Sequence, residues 1–120
     1  MLYPIARVQI RWLSWEEGGR RSPPSGPAYA ATAHFTEDAL DRLFSVVLRL
    51  AAEPTINGGQ AQEAELTLLA PDNLPDVVRR LVPGSRLCIT EGARAVGECQ
   101  VLAVRHEESR SWQDALQTAL

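Results

Sequence analysis

The chain has 120 residues, the size of one domain and too few for a large enzyme built of several. Hydrophobic residues make up 45% and charged residues 22%, which excludes a disordered, collagenous or coiled-coil chain. Twelve basic against fifteen acidic side chains leave a net charge of −3, and this bulk balance counts against a general nucleic-acid binder, which neutralises phosphates with clustered positive charge. All twelve basic residues are arginine. Without lysine there is no P-loop of the GxxxxGK[ST] type and no Schiff-base or lysine-nucleophile chemistry. No nucleotide is therefore expected as a cofactor, and no other cofactor is called for.

Met1-Leu2-Tyr3-Pro4 is too short and too polar on its far side for a secretory signal, and no apolar run reaches membrane-spanning length. The expectation is a cytoplasmic protein with no membrane partner, in which Cys88 and Cys99 are reduced; in an oxidising compartment two cysteines can form one bridge.

In chain order, Ile5 to Leu13 comes first. Ala6, Val8, Ile10 and Trp12 alternate with Arg7, Gln9 and Arg11, the period of a half-buried strand. Glu16 to Pro27 holds three prolines, three glycines and two serines and must be a loop. Tyr29 to Phe35 reads as a second strand. The next segment reads two ways: Leu40, Leu43, Phe44, Val47 and Leu48 fit a helical stripe, whereas Phe44 to Leu50 fits a buried strand. The expectation is a helical turn over Glu37 to Leu43 followed by a strand. Asn57-Gly58-Gly59 signals a turn, and Ala64 to Leu69 a further strand. Between Pro71 and Pro83 a single helix is expected to start at Pro75, capped by Asn73 or Asp72. Leu87 to Thr90 and Ala95 to Val104 form a hairpin around Glu91-Gly92-Ala93-Arg94, with Cys88 and Cys99 on adjacent strands and the same face. Ser111 caps a short amphipathic helix that puts Trp112, Ala115, Leu116, Ala119 and Leu120 on one side. Many short strands with glycine-rich turns point to a small closed barrel or sandwich.

Two segments stand out together: Glu16-Glu17-Gly18-Gly19-Arg20, followed by Ser22-Pro23 and Tyr29, and Thr90-Glu91-Gly92-Ala93-Arg94-Ala95-Val96-Gly97. With them, over roughly Ala6 to Val104, the sequence resembles the C-terminal (third) domain of bacterial elongation factor Tu. That family carries an EEGGR-[HT]-[ST]-P loop after its first strand and an REGG-R-TVG hairpin as its last. The resemblance implies an all-β fold, a closed antiparallel six-stranded β-barrel over residues 1–106, and the helical spacing makes 107–120 an extension beyond it. It also implies a module that helps hold the T stem of aminoacyl-tRNA and touches other translation factors. By position, Arg20, Arg21 and Ser22 match the loop that lies along the tRNA backbone, and Arg94 matches the final hairpin's arginine; guanidiniums on loops can grip phosphates. Thr32 ends a segment, Tyr29-Ala30-Ala31-Thr32, that stands where the family has Tyr-Arg-Pro-Gln, so the arginine and glutamine are lost. Thr90 likewise replaces the arginine before Glu91.

The Pro71–Pro83 connection and the C-terminal helix are additions to the family pattern. They cover barrel surface, or Trp112, Leu116 and Leu120 dock on a partner or a second copy. Catalytic and metal signals are absent: His34 and His106 lack a base–nucleophile pattern, Cys88 and Cys99 lack zinc-ligand spacing, and the adjacent Glu16 and Glu17 point apart in extended chain. The expected activity is non-catalytic binding, of tRNA or a translation factor. The alternative is a protein-interaction domain, a mimic, antagonist or immunity-type protein, without tRNA binding.

Overall fold

A computed structural model describes residues 3–21, 24, 27–38, 42–50 and 61–108. Ser22, the turn at Asn57-Gly58-Gly59 and the C-terminal helix with Trp112, Leu116 and Leu120 lie outside the described residues. Six strands form: β1 (Tyr3–Trp12), β2 (Ala28–Phe35), β3 (Phe44–Leu50), β4 (Gln62–Leu68), β5 (Arg86–Glu91) and β6 (Arg94–Glu107). All pair antiparallel in the closed order β1-β4-β3-β2-β5-β6. The chain is thus an all-β, six-stranded closed barrel, and closure leaves no strand edge open to pairing with another chain.

The alternation read in β1 is realised: Ala6, Val8, Ile10 and Trp12 enter the core while Arg7 and Gln9 face outward. Leu48, Leu66, Leu68, Leu87, Ile89 and Val101 meet them from the other strands. Phe44 to Leu50 is a strand throughout. Its two-sided burial, with Val46 and Leu48 in the core and Val47 also covered, hides the period that would have marked it in the sequence. The chain turns at Phe35–Asp38, where Asp38 N–H donates to the Phe35 carbonyl; part of the helical turn expected over Glu37 to Leu43 lies outside the described residues.

β6, 14 residues long, carries two bulges. Its pairing slips by one residue opposite Ile89/Thr90, at Val96, and again opposite Arg7/Val8, at Leu102. Each bulge adds a residue, raises the local twist and lets one long strand close the barrel against both β5 and β1. The strand continues to Glu107, one residue past the expected domain end.

The two ends of the barrel differ. At the Phe35/Phe44 end lies the β4–β5 connection, with α1 (Pro75–Arg80), Leu74, Val77 and Val78 against the core and Leu81 buried. Pro75 opens the helix as expected, but Leu74 takes the cap position. Pro71–Asn73 is a 3₁₀ turn, Leu74 follows it, and no side chain caps α1, so neither Asp72 nor Asn73 is the cap. Arg80 ties α1 down: its guanidinium bonds Asp38 at 2.7 and 3.2 Å and Glu37 at 2.9 Å, and lies 4.0 Å from the centre of the Phe35 ring. The opposite end, around Trp12 and Tyr29, carries the loops singled out in the sequence.

Candidate nucleic-acid interface

After β1, Leu13 N–H still bonds the Val96 carbonyl at 2.9 Å, and the chain then folds back on itself. The Ser14 carbonyl accepts from Glu17 N–H at 3.1 Å and from Gly19 N–H at 2.8 Å. The Glu17 carboxylate returns to accept from Ser14 N–H at 3.0 Å, and its other oxygen accepts from Arg11 at 2.9 Å. These bonds hold the Glu17 carboxyl below its ordinary range, the Ser14 amide contributing most. The two glycines serve different needs. Gly18 has φ +91°, a left-handed conformation costly for other residues. Gly19 sits so close to Leu13 that a Cβ would lie 2.3 Å from the Leu13 carbonyl oxygen. The turn they permit leaves Trp15 at its apex, 45% exposed.

The β5–β6 hairpin delivers the second half. Glu91 pairs with Arg94 across a two-residue turn, and Gly92, at φ +60°, takes the first central position as a type II′ turn requires. The Arg94 guanidinium lies 5.4 Å from the Trp15 ring centre and that of Arg21 lies 4.4 Å away. Two cations from loops 73 positions apart in sequence thus share one exposed indole. Neither forms a salt bridge among the described residues. Guanidiniums packed on an aromatic ring retain N–H edges for bidentate bonds to a phosphate or carboxylate. The two central carbons stand within about 10 Å of each other.

Arg20 plays another part. It donates to the Glu91 carboxylate, which also accepts from the Tyr29 hydroxyl, and it lies 5.8 Å from the Tyr29 ring centre. Tyr29 in turn meets Trp12 edge-on at 5.6 Å, anchoring the network to the core. Burial opposes ionisation of Glu91, but the Tyr29 and Arg20 hydrogen bonds and the Arg20 charge outweigh it and hold the carboxyl below its ordinary value. Burial, aided by the bond to Glu91, pushes the Tyr29 hydroxyl up. A depressed folded-state carboxyl contributes stability that is complete above the unfolded value and is lost as pH falls through the folded one. Acid titration followed by urea unfolding should therefore show a loss of stability below the normal glutamate range that is smaller in Glu91→Gln. Identical pH profiles for the two proteins would contradict this role.

Of the sequence candidates, Arg21 and Arg94 converge and Arg20 braces the hairpin beneath them. Among the described residues Glu17 is bridged by Arg11, and Arg20 by Glu91. Thr32 joins Thr90 across the β2–β5 pair, its hydroxyl 2.6 Å from that of Thr90, and is spent on the barrel wall. Trp15 and Glu91 belong to this cluster without being sequence candidates for binding; Glu91 enters the sequence reading only as part of the hairpin motif and Trp15 not at all. The signal was an aromatic residue falling after the strand alternation had ended, where no core position required it.

The cysteines are not on one face. Cys88 lies opposite Glu98 on the outer wall, whereas Cys99 lies opposite Leu87 and enters the core, where burial pushes its thiol up to about 12. Both are free thiols. Among the described residues no three metal-ligating side chains converge, and no helix is long and apolar enough to cross a membrane. No protein-family model and no curated protein matches this chain.

Proposed function

We propose that this barrel is a non-catalytic, cytoplasmic binding module of translation, which grips the phosphate backbone of structured RNA of the tRNA type at its Arg21–Trp15–Arg94 end. The observation that carries this reading is the pair of guanidiniums on one exposed indole, outside any salt bridge among the described residues. Its elements are those with which proteins hold RNA backbones and unstacked bases. The likeness of the EEGGR loop and the TEGARAVG hairpin to the third domain of elongation factor Tu points the same way, since these are the two segments that build the cluster. The net charge of −3 disfavours diffuse binding along a duplex.

Titration of unmodified tRNA at low salt, followed by tryptophan fluorescence, tests it. Saturable quenching is expected, and Arg21→Ala/Arg94→Ala should weaken binding by at least tenfold, since each charge-assisted contact contributes roughly 1.5–3 kcal/mol. Binding that is absent, or indifferent to both arginines, contradicts the proposal.

The second reading is a protein-interaction domain, without RNA binding. It is favoured by the net charge of −3 and by an exposed tryptophan flanked by arginines, the residue types that dominate interface hot spots. Affinity capture from cell extract separates the two: nuclease-resistant recovery of one protein that depends on Trp15 supports this second reading, and recovery of RNA alone opposes it.

A further inference from the structure

On the outer wall of β2, β5 and β6, away from the arginine cluster, lies a groove of about 490 Å³ lined in part by His34, Arg86, Cys88, Glu98 and Gln100. His34 and Cys88 are 54 positions apart in sequence yet directly opposite in the β2–β5 register. Directly opposed residues of antiparallel strands carry their Cβ atoms roughly 4.5–5.5 Å apart on the same face, within reach of a shared ion. His34 is nine-tenths buried, and its Nδ1 lies 2.8 Å from the carbonyl oxygen of Phe35. A carbonyl only accepts, so Nδ1 carries a proton, and in the neutral ring the lone pair is on Nε2. That tautomer, fixed by a backbone carbonyl, is the outer-shell arrangement of metal-binding histidines. Among the described residues no hydrogen-bond partner engages Nε2. Cys88 is half-buried, and its weak contact to the Ile89 carbonyl, at 4.0 Å, leaves the sulfur available.

We infer that Cys88 and His34 form a two-donor site for a soft monovalent metal ion of the Cu(I) class, entered through this groove. The absence of a third converging ligand among the described residues selects the ion class. Zinc requires three or four protein donors, whereas Cu(I) accepts one thiolate and one imidazole. Glu98, opposite Cys88, is held by Arg11 at 3.1 Å. Binding is an exchange without redox change: the Cys88 S–H bond breaks, its proton leaves to solvent, and S–Cu and Nε2–Cu bonds form.

The test is anaerobic Cu(I) titration of the whole chain against a chromophoric chelator, with native mass spectrometry for stoichiometry. One ion per chain is expected, unchanged in Cys99→Ala and abolished in Cys88→Ser. His34→Gln should weaken it by about tenfold or more, since even outer-shell losses at metal sites cost 10–100-fold. In the unmutated protein, Cu(I) should block alkylation of Cys88 and shift the ring resonances of His34 but not those of His106. This arm decides the matter should His34→Gln not fold. Binding that survives Cys88→Ser, that is as tight in His34→Gln as in the parent, or that leaves the His34 ring signals unmoved overturns the site.

Discussion

Replacing Gly19 by alanine should lower stability by about 3 kcal/mol or more, the upper range for forcing atoms into packed structure. The new Cβ would meet the Leu13 carbonyl oxygen at 2.3 Å, and the Leu13 carbonyl carbon and Cβ at 2.8 Å each. These are mainly backbone atoms. Leu13 cannot retreat, because its N–H is bonded to Val96 and its side chain is buried. The turn must open instead, and Trp15 leaves its position between Arg21 and Arg94. Gly18→Ala is the internal comparison. No atom lies within 4 Å of its Cβ, so only the left-handed φ of +91° is strained, a cost of roughly 1–2 kcal/mol. Urea unfolding of the two variants should rank Gly19→Ala clearly below Gly18→Ala. The reverse order would mean that conformational strain, and not close approach to Leu13, governs this loop.

Trp12→Ala should cost about 3–5 kcal/mol, as for other large buried aromatics. Trp12 is only 1% exposed, packs beside Gly97 and supports the Tyr29 ring edge-on. Its indole N–H has no hydrogen-bond partner among the described residues. Trp12→Phe therefore breaks no hydrogen bond and should lose only the volume difference, well under the alanine cost. Functionally, Trp12→Ala withdraws the footing of Tyr29, and with it the Glu91 carboxylate that holds Arg20. Thermal and urea unfolding give the ranking. A phenylalanine variant as unstable as the alanine variant would mean that the N–H has a role which its surroundings do not reveal.

Strand positions were legible where one face is buried and the other wet, as in β1, where alternation survives to Trp12. β3 was ambiguous because both of its faces are covered. The neighbour order of the barrel is set by pairings between distant segments, and no local pattern encodes it. The cysteines show how a local reading fails. Extending the two-residue turn regularly from Glu91 and Arg94 would place Cys99 opposite Arg86, on the face of Cys88. The bulge at Val96 slips the register by one, and a one-residue slip turns every later side chain over. The candidate site was half legible. Glycine spacing marked both loops, and Arg21 and Arg94 stood in them. That Glu91 would claim Arg20, 71 positions away, and that Trp15 would gather the other two, depends on closure of the barrel.

Arg21 and Arg94 are proposed as phosphate contacts, and the salt dependence of RNA affinity measures them most directly. Each phosphate contact to a single strand contributes about 0.7 to the slope of log affinity against log salt, and each to a duplex about 0.9. Removing Arg21 and Arg94 together should make the tRNA slope shallower by about 1.4–1.8. Arg20→Ala, which unlocks a brace and not a contact, should weaken binding while altering the slope by less. Equal slopes for the parent and the double variant would contradict the claim.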